Sequence, residues 1–214
     1  MSALPLHFIE QLPEIQTEKP PVLVMLHGYG SNEEDLFSMR TQFDRRFHVV
    51  SLQAPIALDW GGYAWFPIEY TPNGIAVDKS AAVAQLENLK YVLRKIKDKT
   101  QCDKLFLLGF SQGTIMSLAA AVHEPALISG VIGFSGRFER ELIPKNPDMT
   151  ALRELPIFQS HGISDSVIPI SAGREAKKIL EELGVNLVYK EYPFAHEISM
   201  NCLMDAVKWL EGKM

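Results

Sequence analysis

A serine between two glycines is the residue of this sequence whose surroundings most clearly favour chemistry. Residues 109–113 read Gly-Phe-Ser-Gln-Gly, with Ser111 at the centre of a G-x-S-x-G pattern. An apolar run of strand length precedes it, and a run rich in helix formers follows it. This order is the context of a serine nucleophile held on a sharp, strained turn. We predict that Ser111 is a nucleophile for acyl transfer; the alternative is an ordinary strand-to-helix turn with an incidental serine.

A serine hydroxyl becomes nucleophilic when a base takes its proton and a third group orients that base. In chains that carry this kind of serine turn, the acid and then the histidine follow the serine. Four of the six histidines precede Ser111 or lie on the helix after it: His7, His27, His48 and His123. Of the other two, His161 ends a predicted strand, whereas His196 lies between a strand and the last predicted helix. We predict His196 as the base.

The acid is predicted from its place after a strand. Of the carboxylates between Ser111 and His196, only Asp165 lies a few residues past the end of a predicted strand. Loops at the carboxyl ends of parallel strands are where such a sheet builds its site. We therefore predict Asp165 as the acid, with an Asx turn as the alternative role. A pairing of His161 with Asp148 remains as a second interpretation.

The attack on a carbonyl creates an oxyanion, which needs preorganised hydrogen-bond donors. One predicted donor is the backbone N–H of Gln112, the residue after the nucleophile, at the N-terminus of a helix. The second is predicted in the loop after the strand at 22–26, where Gly28 and Gly30 let the backbone turn inward. We assign it to the backbone N–H of Tyr29, so that the side chain of Tyr29 is incidental to this role.

Several candidate residues could also suggest a metal site: His27, His161, Asp165 and His196. No tight ligand pair at helical spacing supports that interpretation. We expect neither a metal nor a cofactor.

The elements that must position these residues alternate between strand-like and helical runs. This alternation predicts an α/β fold with a mostly parallel sheet and helices on both faces. The predicted strands are 6–9 at an edge, 22–26, 47–52, 105–108, 128–134, 156–160 and 185–192. The predicted helices are one capped by Ser31 or Asn32, 78–99, 114–122, one from Ser171 to about 183, and 197–212.

Two stretches depart from this alternation. The segment 53–74 reads as a long irregular loop that is dense in aromatic residues. We predict that its rings form a substrate-binding wall, the alternative being a plug at the edge of the core: Trp60, Tyr63, Trp65 and Phe66. The segment 136–153 reads as a polar, proline-broken surface excursion, in which three apolar side chains could lean over the site: Phe138, Leu142 and Ile143.

Bulk properties limit the classes of function. The 214 residues with 47% hydrophobic content fit one domain over 1–214. A net charge of -5 argues against a nucleic-acid partner. No apolar run approaches a membrane span, and residues 1–10 do not resemble a signal peptide. The widely separated Cys102 and Cys202 are interpreted as free thiols, which predicts a cytoplasmic location.

The chain resembles a known family, the phospholipase/carboxylesterase branch of the α/β-hydrolases, which includes the acyl-protein thioesterases. The segments that carry the resemblance are 26–30, 53–55, 64–66, 109–113, 161–169 and 195–198. The resemblance implies a hydrolase of esters and thioesters without a separate cap domain, in which Ser111, Asp165 and His196 form the triad. It places the oxyanion donors at Tyr29 and Gln112. Family members often form homodimers.

The chain differs from the family's usual pattern at four positions. The family commonly has leucine at Tyr29, aspartate at Ser31, glycine at Thr114 and glycine at Ala195. These differences favour a carboxylesterase for small esters over a protein thioesterase, with lysophospholipids as a further substrate class. Two other classes stay open: a ligand-binding protein that keeps the triad, and a C–C bond hydrolase or perhydrolase.

Overall fold

The computed structural model describes residues 4–71 and 74–214 of the chain. The strands are β1 (Phe8–Gln11), β2 (Val22–Leu26), β3 (His48–Leu52), β4 (Ile56–Ala57), β5 (Tyr63–Ala64), β6 (Ile68–Thr71), β7 (Gly74–Val77), β8 (Leu105–Phe110), β9 (Gly130–Phe134), β10 (Pro156–Gly162) and β11 (Asn186–Tyr192). The helices are α1 (Glu33–Phe37), α2 (Lys79–Thr100), α3 (Gln112–His123), α4 (Met149–Glu154), α5 (Ile170–Glu182) and α6 (Met200–Glu211).

A seven-stranded sheet forms the centre of the fold, in the order β1-β3-β2-β8-β9-β10-β11. β1 runs antiparallel to β3 at one edge, and every other neighbouring pair is parallel. Parallel neighbours need crossover connections, and the helices supply them. The predicted α/β-hydrolase core with a mostly parallel sheet is confirmed.

Each face of the sheet carries its own hydrophobic core. Val22, Val24 and Leu26 of β2 pack with α2, α3 and α5, whereas Leu23 and Met25 pack with α1 and α6. The division follows from the strand geometry, because successive side chains point to opposite faces. Both faces are therefore covered by helices, which explains why β2 is apolar along its whole length.

Some predicted boundaries shift in the structure. The edge strand lies at Phe8–Gln11 rather than 6–9. Asn32, not Ser31, caps α1, because its Oδ1 atom accepts from the N–H of Glu34 at 2.9 Å. Ser171 does not cap α5, which begins at Ile170 directly after Pro169. The last helix begins at Met200 rather than at 197. Ser199 caps it, because its side chain accepts from the N–H of Cys202.

The aromatic segment 53–74 is more regular than predicted. β4 pairs with β5 and β6 pairs with β7, each in an antiparallel ladder. Between β4 and β5 the chain reverses at Gly61 and Gly62, whose φ angles of 98° and 75° suit glycine. Pro72 and Asn73 of this segment lie outside the described residues.

The excursion 136–153 packs onto the core. Phe138 and Leu142 are buried in the hydrophobic cluster that also contains α2 and α3, and Ile143 packs against it. The expectation that these side chains lean over the site is wrong, because none of the three is among the residues that line the cavity beside Ser111. Asp148 caps α4 by accepting from the N–H groups of Thr150 and Ala151.

No helix within the described ranges is both long and apolar enough to cross a bilayer. Cys102 and Cys202 are both buried and form no disulfide.

Candidate active site

Ser111 lies on a strained turn between β8 and α3. Its φ of 52° and ψ of −115° place a residue with a side chain in a backbone region that is sparsely populated. The flanking glycines explain how the turn can form. A β-carbon on Gly109 would lie 2.4 Å from the carbonyl oxygen of Gly113, and one on Gly113 would lie 1.9 Å from the carbonyl oxygen of Leu26. The turn at Ser111 is therefore too tightly packed for a side chain at either glycine, since Gly109 lies against the start of α3 and Gly113 lies against the end of β2.

The ring of His196 lies between Ser111 and Asp165. Its Nε2 atom is 3.0 Å from the Oγ atom of Ser111, and its Nδ1 atom is 2.7 Å from the Oδ2 atom of Asp165. An ionised carboxylate accepts only, so Nδ1 carries the proton and Nε2 can accept from the serine hydroxyl. The ring of Phe110 packs beside the imidazole, with the two centroids 4.9 Å apart.

Asp165 is held by its own loop. Its Oδ1 atom accepts from the backbone N–H groups of Val167 and Ile168, at 2.9 and 2.8 Å, and its side chain is fully buried. The carboxylate of Asp165 therefore forms the predicted Asx turn and also makes the predicted contact with His196. Two backbone donors fix the carboxylate so that its other oxygen faces His196.

The second interpretation, a pairing of His161 with Asp148, is wrong. Asp148 caps α4 at the surface, whereas His161 is fully buried beside Asp165, with its Nε2 atom 2.7 Å from the carbonyl oxygen of Ile168. The same Nε2 atom lies 3.4 Å from the Oδ2 atom of Asp165. Because a carbonyl oxygen accepts, His161 carries its proton on Nε2 and closes the loop around Asp165.

Gln112 has two separate structural roles. As the first residue of α3, it has a backbone N–H without an acceptor inside the helix, beside Ser111. Its side chain docks the aromatic segment: Oε1 accepts from the N–H of Trp65 and Nε2 donates to the carbonyl of Phe66, both at 2.7 Å. The sequence suggests the backbone role of Gln112, while the side-chain role is visible only in the fold.

The loop after β2 lies over the nucleophile turn. A β-carbon on Gly28 would lie 3.4 Å from the β-carbon of Ser111 and 3.0 Å from the ring of Phe110. Gly30 has a φ of 79° and donates its N–H to the carbonyl of Tyr63 at 2.9 Å. The close approach at Gly28 and the left-handed Gly30 bring the peptide of Tyr29 to this side of the sheet.

His27 orients that peptide. Its Nε2 atom accepts from the N–H of Ala54 at 3.0 Å, so the ring proton lies on Nδ1, which donates to the carbonyl oxygen of Gly28 at 2.7 Å. Burial lowers the pKa of His27, which keeps the ring neutral. In a trans peptide the N–H points opposite to the C=O, so the contact with Gly28 also sets the direction of the Tyr29 N–H.

A cavity of about 370 Å³ opens next to Ser111 and His196. Most of its other walls are apolar: Phe66, Ile68, Val77, Phe110, Ile115 and Ile168. Its polar walls come from Ser31, Asp35, Arg137 and Ser166. Sequence reasoning did not select Arg137, because nothing in the pattern around it distinguishes it from a surface arginine.

Of the four predicted substrate-binding aromatics, only Phe66 lines this cavity. Trp65 is buried and donates its indole N–H to the carbonyl of His27 at 3.0 Å, so it braces the loop after β2 from inside the core. Tyr63 forms an isolated bridge with Ser31. Trp60 is 73% exposed and contacts the ring of Tyr29. For Trp65 the alternative is correct, because its ring packs in the core and does not line the cavity.

Of the four residues that could suggest a metal site, His161 and His196 both lie beside the carboxylate of Asp165, whereas His27 lies apart from them after β2. In the described part of the chain, no group of three or more His, Cys, Asp or Glu side chains is placed to hold a metal ion. His27 and His161 each contact a backbone carbonyl, and they lie on opposite sides of β8.

Comparison with known proteins shows which protein family the chain matches. The family model described as phospholipase/carboxylesterase matches residues 10–213. A probable carboxylesterase, SOBER1-like, of Arabidopsis thaliana is 30% identical over 90% of this chain and 78% of its own length. Acyl-protein thioesterase 1 of Kluyveromyces lactis is 28% identical over 97% of both chains.

Solved structures share the fold at lower identity. The Bacillus cereus carboxylesterase superposes with a TM-score of 0.82 and 21% identity, covering 98% of this chain and 95% of its own. Acyl-protein thioesterase 2 of Zea mays gives a TM-score of 0.79 with 19% identity, covering 97% and 98%.

Proposed function

The chain belongs to the phospholipase/carboxylesterase family, whose members hydrolyse ester bonds, and from this premise we propose that it is a serine carboxylesterase. The proposed catalytic residues are Ser111 as nucleophile, His196 as base and Asp165 as the orienting acid. The observation that carries the proposal is the unbroken line of contacts from Ser111 Oγ through the ring of His196 to Asp165 Oδ2. Each contact has the hydrogen-bond length and direction that the proton transfers need.

Acylation follows from this geometry. As the Oγ atom of Ser111 bonds to the ester carbonyl carbon, His196 Nε2 takes the hydroxyl proton. The oxyanion accepts hydrogen bonds from the backbone N–H groups of Tyr29 and Gln112. The tetrahedral intermediate then breaks its bond to the leaving oxygen or sulfur, which takes the proton from His196. The acyl group stays on Ser111 as an ester.

Deacylation repeats the sequence with water. His196 removes a proton from a water molecule as its oxygen attacks the acyl-enzyme carbonyl. When the intermediate collapses, the Oγ atom of Ser111 leaves and recovers its proton from His196. Asp165 remains ionised throughout and stabilises the imidazolium that forms twice in each cycle.

The cavity favours small substrates. Its volume of about 370 Å³ is near the lower end of the range of ordinary ligand pockets, ~300–1,000 Å³. A short acyl chain, or an ester whose larger part stays outside, fits such a site. Acyl-protein thioesters are a second candidate class, favoured by the relatives named acyl-protein thioesterase 1. Lysophospholipids are a third, favoured by the family description phospholipase/carboxylesterase.

The test is turnover on a panel of 4-nitrophenyl esters of increasing acyl length, beside matched acyl thioesters. We expect hydrolysis with a preference for short acyl chains, and Ser111→Ala should lower kcat by about 10⁴-fold or more. Ser80→Ala, at an exposed serine at the start of α2, is the matched control and should keep wild-type turnover. Rapid labelling of the wild-type chain, but not of Ser111→Ala, by a fluorophosphonate would separate an enzyme from a ligand-binding protein. Ester hydrolysis retained by Ser111→Ala would overturn the proposal.

Three further expectations stay predictions. One domain over 1–214 is supported by the family match to residues 10–213. The other two are that the chain forms a homodimer and that it lies in the cytoplasm.

A further inference from the structure

Arg137 has no part in the mechanism proposed above, yet its side chain lines the cavity. Among the cavity residues that the structure describes, it is the one whose side chain stays cationic at every physiological pH. The same cavity is also lined by the apolar residues Ile115 and Ala172. A permanent charge beside apolar groups in a substrate cavity is a candidate for substrate selection.

The backbone that carries Arg137 is fixed by the scaffold. Ser135, directly after β9, has a left-handed φ of 48°, and its N–H donates to the carbonyl of Ser160 at 2.9 Å. A β-carbon on Gly136 would lie 2.3 Å from the β-carbon of Thr114, so Gly136 packs directly against α3. The carbonyl of Gly136 also accepts from the side chain of Gln159 at 3.2 Å. Arg137 therefore starts from a rigid position, not from the tip of a loose loop.

Glu139 holds the guanidinium of Arg137. The Nε atom of Arg137 lies 2.8 Å from a carboxylate oxygen of Glu139, and the two side chains are 23% and 21% exposed. A guanidinium has five N–H donors in a planar fork, so it can contact more than one acceptor at the same time. The contact to Glu139 restricts the rotamers of Arg137, which lowers the entropy lost when a ligand binds.

The charges of the cavity are separated across the nucleophile strand. Asp35 follows β2 and Arg137 follows β9, and these two strands flank β8 on opposite sides. Asp35 is itself engaged by the hydroxyl of Ser31 at 2.7 Å. A substrate with its carbonyl at Ser111 would therefore place an anionic group toward Arg137 and keep it away from Asp35.

We propose that Arg137 is a specificity-determining residue that selects esters and thioesters carrying a carboxylate a few atoms from the scissile carbonyl, such as monoesters of short dicarboxylic acids. The inference rests on the proposed serine-esterase function and names its substrate class. The planar fork of Arg137 matches a carboxylate, and the small cavity matches a short chain between the two functional groups. Hydrolysis then gives the free dicarboxylate and an alcohol from an ester, or a thiol from a thioester, by the cycle already described.

The experiment compares two substrates that differ only at the far end of the acyl chain. Methyl valerate ends in a methyl group, where monomethyl glutarate carries a carboxylate that is ionised at neutral pH. The rate of acid release gives kcat/KM for each ester, and the ratio of the two values is the readout. A defect in folding or in the catalytic residues lowers both values and leaves their ratio unchanged.

Three variants test the role of the charge. Arg137→Met should lower the glutarate-to-valerate ratio by roughly 10- to 100-fold, the effect of losing one charge-assisted contact. Arg137→Lys keeps the charge but loses the fork and should give an intermediate ratio. Arg140→Met is the matched control, because Arg140 is an exposed arginine of the same segment that pairs with Glu175 and Glu182 outside the cavity; its ratio should equal that of the wild type.

The outcomes separate this inference from the function on which it rests. Failure of the wild-type chain to hydrolyse either ester would overturn both. If both esters are hydrolysed and Arg137→Met changes the ratio by less than about twofold, the selection by Arg137 is overturned and the proposed esterase function stands. If Arg137→Met does not fold, the ratio of Arg137→Lys decides: a value equal to that of the wild type overturns the inference.

Discussion

His161 and Asp165 lie side by side in the interior, with the Nε2 atom of His161 3.4 Å from the Oδ2 atom of Asp165 and both side chains fully buried. The same nitrogen donates to the carbonyl of Ile168 at 2.7 Å, and the N–H of Ile168 donates to the other oxygen of Asp165. The proposed triad therefore has a second histidine behind its acid. This ring acts through Asp165 and touches neither Ser111 nor the substrate cavity.

Replacement of His161 should affect both stability and turnover. In His161→Leu the carbonyl of Ile168 loses its buried donor, which should lower the free energy of unfolding by about 1–3 kcal/mol. Because the loop around Asp165 loosens, we also expect kcat to fall by about tenfold or more at nearly unchanged KM. Denaturant unfolding and steady-state kinetics measure the two effects. His123→Leu removes a similar contact, to the carbonyl of Leu142 at 2.9 Å, and should leave kcat unchanged; an equal loss of kcat in both variants would contradict the role of His161.

Gly113 is predicted to tolerate no side chain. In Gly113→Ala the new β-carbon would meet the carbonyl oxygen of Leu26 at 1.9 Å, and backbone cannot move aside as a flexible side chain can. We expect a loss of stability of about 1–3 kcal/mol or more, together with displacement of Ser111 and loss of fluorophosphonate labelling. Gly212→Ala is the control, because its nearest contact would be an ordinary 3.4 Å. A wild-type melting temperature in Gly113→Ala would contradict the close packing of α3 against β2.

Tyr29 should matter through its backbone and not through its ring. Tyr29→Leu keeps the N–H and is expected to change kcat by only a few-fold. Tyr29→Pro removes the N–H and should lower kcat by about 10²–10³-fold, the usual effect of losing one oxyanion donor. Thermal unfolding of both variants checks that the loop is intact. Equal kcat values for the leucine and proline variants would rule out this peptide as a donor.

The neutral state of His27 predicts a pH dependence of stability. Burial holds the pKa of the folded state below the ordinary value of 6.5, so below that pH the unfolded chain binds a proton that the folded chain does not. Stability should therefore be fully present above pH ~6.5 and fall as the pH decreases, by up to about 1.4 kcal/mol per pH unit from this one group. Urea unfolding between pH 5 and 8 measures the slope. His27→Gln should flatten it, and the same slope in both proteins would contradict the prediction.

The residues predicted from sequence share one property, a local pattern tied to a strand end. Ser111 is marked by its glycines, Asp165 by its distance from β10, and His196 by its place between β11 and α6. Such signals survive because parallel strands bring their carboxyl ends to one edge, whatever the details of packing. The meeting of the three side chains was therefore predictable, while their catalytic roles stay predictions.

The residues missed or misplaced depend on where a side chain points, which local sequence does not encode. Trp65 looks like a pocket residue but turns inward to donate to His27, whereas Arg137 looks like a surface residue but turns toward the cavity. His161 has a glycine after it, as His27 does, and only the fold distinguishes the one that clamps Asp165 from the one that orients Gly28. Tertiary packing decides these directions.

The side chain of Gln112 joins the helix behind Ser111 to the main chain of Trp65 and Phe66 by two short hydrogen bonds. Both bonds end on peptide groups, so they impose no demand on the identity of the rings attached there. Position 66, the one of the two that lines the cavity, can consequently change its side chain over evolutionary time, and so change which molecules are admitted, while the distance from this wall to the hydroxyl oxygen of Ser111 stays constant.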